Sequence, residues 1–226
     1  MDQDQRIARI FGVLYLLTFI TSIPALGLYQ SVLDDPAGYI AGGGKDNLIY
    51  LGVLLELFLI IANIGTAVVP FPIFRRQNEP LAVGYVTARV IECTFIAAGI
   101  IFVLGIVSLR QDSPDAADLA VSLAAMKDWT FLLGPGFIVG WGNGLILAYI
   151  MYRSGLVPRR ATWLGLIGGP LIILTGIGTL FGLWDAGTTV PAITVIPEFL
   201  WELFLGIYCT IWGFRRDAPI LAASAG

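Results

Sequence analysis

Six predominantly apolar stretches, each more than twenty residues long and bounded by charged or polar residues, occupy positions 8–29, 48–74, 81–109, 129–152, 161–184 and 190–214. A bilayer core about 30 Å thick is crossed by roughly 20 helical residues, so each stretch is long enough to span it. Inside lipid an unpaired backbone N–H or C=O costs several kcal/mol, and these runs are too continuously apolar to alternate as barrel strands. The expected fold is therefore all-α: an integral membrane bundle of six transmembrane helices, one membrane domain over residues 1–226, with the lipid bilayer as its main partner.

Composition narrows the chemistry. Hydrophobic residues make up 57% of the chain and charged residues 13%, far from a water-soluble balance. A net charge of −3 gives no basic footprint for nucleic acid. The chain has no histidine, which excludes histidine-ligated haem or zinc and every Ser-His or Cys-His catalytic pair. Cys93 and Cys209 both fall in apolar segments, where a thiol acts as a small hydrophobe. No pattern requires a cofactor or a metal. The opening MDQDQRIARI carries acids before its first apolar run and lacks a small-residue cleavage site, so the first stretch reads as a permanent helix.

Arginines set the expected orientation. Arg6, Arg9, Arg75, Arg76, Arg153, Arg159, Arg160, Arg215 and Arg216 all fall on one side of the six-helix topology. The other side holds Lys45, Arg110 and Lys127 among eight aspartates. The positive-inside rule then puts both termini in the cytoplasm, with outer loops at 30–47, 110–128 and 185–189. Within 110–128 the spacing predicts a short helix after Pro114, lying at headgroup level with Leu119, Leu123 and Met126 on its apolar face. A faint internal echo is also present. LLELFLII (54–61) resembles LWELFLGI (200–207), and ARIFGVL (8–14) resembles ATWLGLI (161–167), so helices 1 and 2 echo helices 5 and 6.

Ionisable residues inside the spans are the candidate site, because a charge at mid-bilayer costs about 2.5 to 3.5 kcal/mol on insertion scales. Glu56, Arg89, Glu92, Glu198 and Glu202 qualify. At 1.5 Å per residue, Glu92 and Glu202 lie near the midplane and Glu56 somewhat above it. Glu198 shares the face of Glu202, one turn outward, and Arg89 shares the face of Glu92. The four acids are expected to surround one cavity, with a single arginine among them. Four carboxylates and one guanidinium cannot all stay ionised in a low-dielectric space, so some of the acids should be protonated, bind a cation or face water. A buried charge network that fixes helix register is the competing reading. Asn63 and Asn143, also mid-span, are secondary candidates, either as ligands or as interhelical hydrogen-bond formers.

At YVTARVIE (85–92) and PEFLWELFLGIYCTIWGF (197–214), the chain resembles an uncharacterised domain-of-unknown-function family of bacterial multi-pass membrane proteins. GVLYLLTFITSIP (12–24) and PFPIFRRQNEPLAVGY (70–85) are similar to the same family. The resemblance implies a topology and a bacterial cytoplasmic (inner) membrane location, and it supplies no reaction or substrate. Eleven arginines against two lysines fit a GC-rich bacterial genome. Three functions stay open: a small transporter or permease-like protein in which Glu56, Glu92 and Glu202 bind protons or a cation, an intramembrane enzyme using paired carboxylates on a substrate such as lipid, and a non-catalytic sensor or partner subunit. Six helices are few for a transporter, so a homodimer suits the first.

Overall fold

Residues 2–113, 115–185 and 187–222 are described by a computed structural model of the chain. Those residues contain helices and no strands, and six helices are long and apolar enough to cross a membrane. The first is α1 (Gln3–Leu33), followed by the short α2 (Pro36–Ile40). The second, α3 (Asp46–Val68), stops before Pro70, and α4 (Phe71–Gln77) carries the chain beyond it. The stretch expected as one helix over 48–74 is thus two, because Pro70 has no N–H to continue the ladder. The third is α5 (Glu79–Asp112), whose start is capped by Asn78 Oδ1 accepting from Leu81 N at 2.9 Å, with Pro80 in the first turn.

The fourth span differs most from expectation. It runs unbroken over Ala117–Ser154, not from residue 129. It comprises α6 (Ala117–Leu133), two π-helical stretches at Gly134–Ile138 and Gly140–Leu147, and α7 (Ala148–Ser154). The expected surface helix is therefore the first part of a span. Ala120, Ala124, Lys127 and Thr130 form its buried face, while Leu119 and Met126 point outward. Small side chains on that face allow α6 to lie close against α5, where a Cβ on Gly99 would come within 2.7 Å of Thr130 Oγ1. Pro114, the expected start of the surface helix, lies outside the described residues.

The fifth span, α8 (Arg159–Leu180), ends four residues before the expected 184, where Gly182 takes φ +69°. The sixth consists of α9 (Thr189–Thr194) and α10 (Ile196–Ile211), which meet at Val195 just ahead of Pro197. A last turn, α11, covers Pro219–Ala222.

The six spans close into a ring in chain order: α1 packs on α3, α3 on α5, α5 on the fourth span, the fourth span on α8, α8 on α10, and α10 back on α1. Glycines set the closest approaches. A Cβ on Gly169 would sit 2.5 Å from Gly140 O, so α8 and the fourth span touch backbone to backbone. Both chain ends lie at one end of the ring, where Gln5 Nε2 donates to Phe214 O at 2.7 Å. An aromatic cluster of Phe11, Phe74, Tyr85 and Phe214 packs that end, and Tyr29, Tyr39, Ile49 and Val103 pack the other.

Large apolar residues face outward all round: Ile20 is 63% exposed, Ile61 and Ile101 67%, and Leu174 63%. Arg89, Glu92, Glu56 and Asn143 are buried. Apolar outside with polar inside is the reverse of a water-soluble helical bundle, and it suits a lipid surround.

Candidate functional site

The interior polar groups form two separate sites. The first centres on Glu56 of α3, 6% exposed. Lys127 of α6 donates through Nζ to Glu56 Oε1 at 2.7 Å and Oε2 at 3.0 Å, and Tyr29 of α1 donates its hydroxyl to Oε2 at 3.1 Å. Lys127, itself 4% exposed, also lies 5.1 Å from the centre of the Tyr29 ring. Two expectations are corrected here. Lys127 is not an outer-loop charge, and Glu56 does not join the acids around Arg89, because it has a cation of its own. A charge in an apolar setting needs a partner, and α6 supplies one by bringing Lys127 down the face that packs on α5.

The second site gathers the remaining candidates. Arg89 of α5, 2% exposed, uses each nitrogen of its guanidinium. Nη1 donates to Glu92 Oε2 at 2.7 Å, Nη2 to Asn63 Oδ1 at 3.0 Å, and Nε to Thr66 Oγ1 at 3.1 Å. Asn63 Nδ2 closes the circuit by donating to Glu92 Oε1 at 3.0 Å. The guanidinium also lies 5.6 Å from the centre of the Tyr15 ring. Tyr15 and Tyr85 share a hydroxyl hydrogen bond of 2.9 Å, and Tyr85 donates on to Thr66 at 3.4 Å. The i, i+3 spacing of Arg89 and Glu92 puts both on one helix face, and the last turns of α3 complete the pair.

Across the ring, α10 presents Glu198 and Glu202, both within electrostatic reach of Arg89 and Glu92. Glu202 is half-buried and accepts from Asn143 Nδ2 of the fourth span. Asn143 is held in place by its backbone oxygen, which accepts from Trp201 Nε1 at 3.0 Å. Glu198 is 2% exposed, and neither of its carboxylate oxygens has a hydrogen-bond partner among the described residues. Asn143 Oδ1 is likewise buried and unpartnered. The space for Glu198 exists because Gly144 and Gly168 lack side chains: a Cβ on either would come within 3.0 Å of Glu198 Oε2. Gly144 and Gly168 thus do more than pack helices, since they make room for a carboxylate.

Three carboxylates therefore share one guanidinium, whose three nitrogens already donate to Glu92, Asn63 and Thr66. An unpaired buried carboxylate is costly enough that a proton or a cation normally neutralises it. Among the described residues no three His, Cys, Asp or Glu side chains converge closely enough to hold a metal ion. The two unpartnered oxygens of Glu198 can hold a proton. Lys127, Thr66 and the tyrosines were absent from the sequence candidates. Only Lys127 carried a usable signal, as one of two lysines in a chain with a buried glutamate to satisfy.

The family model described as a domain of unknown function, DUF4386, matches residues 10–213. No curated protein and no solved structure matches the chain. The chain belongs to the DUF4386 family.

Proposed function

We propose that this protein is a small permease-like membrane protein of the bacterial inner membrane that exchanges protons at Glu198 and Glu202, with Arg89 and Glu92 as the fixed charges beside them. The observation that carries the reading is the unpartnered, fully enclosed carboxylate of Glu198 next to Glu202 on one face of α10. Intramembrane acids of this kind serve as proton relays in pumps and transporters. Glu56, satisfied by Lys127 and Tyr29, becomes a structural pair in this reading, and Glu92 an anchor for Arg89. Nine arginines at the end of the ring that holds both termini support a cytoplasmic position for that end. A homodimer would give so small a ring the extra helices that transport usually employs.

A purely structural charge network is the second reading, favoured by the closed Arg89–Glu92–Asn63 circuit. Proton uptake by purified protein in proteoliposomes between pH 5 and pH 9 separates the two. Under the exchange reading, Glu198→Gln and Glu202→Gln each remove a titrating proton at matched insertion, while Glu56→Gln leaves the curve unchanged. Identical curves for all variants would make the network structural.

A further inference from the structure

At the end of the ring opposite the termini, the fourth span, α8 and α9 enclose a half-open cavity of about 390 Å³. That volume lies in the range of small-molecule sites. Its walls are mainly apolar, with Phe131, Leu132, Ile172 and Val195, and Thr175 and Thr179 add hydroxyls. Asp128 is the one charged residue of the lining. It is exposed and makes no ion pair or side-chain hydrogen bond among the described residues. Its sequence neighbour Lys127 is turned away and held by Glu56.

We infer that this cavity is a binding site for a hydrophobic monocation, an amine or onium group carried on an apolar body. Each half of that chemistry has its counterpart. The apolar walls take the body, and the carboxylate of Asp128, which makes no ion pair among the described residues, takes the charge. An anion of the same shape would meet Asp128 with no cation in the lining to offset it. The floor is also placed to communicate with the proposed proton site: Val195 precedes Glu198 by one turn of the sixth span, and Ile172 follows Gly168 by one turn of α8. Binding at the cavity is independent of the exchange reading, and only that communication depends on it.

Two ions of nearly identical shape and opposite charge test the assignment. Tetraphenylphosphonium should bind the purified, detergent-solubilised protein saturably in equilibrium dialysis, while tetraphenylborate should not. Asp128→Asn should weaken the cation about tenfold, Asp128→Glu should retain it, and Val195→Trp, which fills the cavity from an exposed position, should abolish it. Equal binding of both ions, an unchanged affinity in Asp128→Asn, or no saturable binding would overturn the proposal. Glu198→Gln should leave phosphonium binding intact. A failed proton-uptake experiment alongside Asp128-dependent binding would therefore remove the exchange reading and keep this one.

Discussion

Replacing Lys127 by Met removes the cation paired with Glu56 and keeps a side chain of similar length. Glu56 would then retain a single donor, the Tyr29 hydroxyl at 3.1 Å, in place of three hydrogen bonds, at 6% exposure. Stranding one partner of a buried ion pair costs about 3 to 5 kcal/mol, whereas removing an exposed pair costs about 0 to 1. Burial places Lys127→Met in the first class. Adding Glu56→Gln should recover most of the loss, since a neutral amide oxygen can still accept from Tyr29. The expected coupling in the double-mutant cycle is about 2 kcal/mol or more. Reversible unfolding in mixed detergent micelles at constant pH, followed by tryptophan fluorescence, gives the four free energies. A single-mutant loss under about 1 kcal/mol, or additive effects across the cycle, would mean that Lys127 reaches water and that the pair is not a buried one.

Gly168→Ala should destabilise by about 1 to 3 kcal/mol in the same assay, because its Cβ would lie 2.6 Å from Glu198 N on the facing backbone. Full retention of stability would show that α8 and α10 can separate at that point. Arg89→Lys should cost about 2 kcal/mol or more despite keeping the charge, because a compact ammonium cannot donate at once to Glu92, Asn63 and Thr66 from the positions of the planar guanidinium. A loss below about 0.5 kcal/mol would count against that geometry. Outside the spans, burial and a hydrogen bond to Asp46 push the Tyr39 hydroxyl up to about 12. The ultraviolet titration of wild type minus that of Tyr39→Phe should therefore show a group ionising near 12, and a midpoint near 10 would mean that the ring is not buried against its neighbours.

Span number was legible in the sequence because run length against bilayer thickness is a nearly local argument. Span edges were less so, and the reason is clearest at Lys127. A lysine beside an aspartate reads as a water boundary, yet Lys127 points inward to Glu56 and its neighbour Asp128 points outward. Facing direction within one helix turn depends on packing partners, which the local pattern does not contain. That Arg89 and Glu92 share a helix face followed from i, i+3 spacing alone, whereas Asn63 and Thr66 completing the pair required knowing that α3 and α5 are neighbours. The distinction between Glu56 and Glu202 was hidden for the same reason. The two occupy matching places in LLELFLII and LWELFLGI, but one meets an ammonium and the other an amide.

The ring closes between α1 and α10, spans separated by most of the chain. During synthesis each new helix can dock on the one before it, but the face of α1 that receives α10 has no protein partner until the sixth helix arrives. Until then Gly12, against which Thr210 will pack, faces lipid, and Arg89 and Glu92 look across at an empty place. Assembly therefore makes the acids of α10 the last charges to enter an arrangement already neutral without them. Glu198 and Glu202 arrive with no cation of their own, so the protein acquires its proton-binding acids and its finished architecture in the same step.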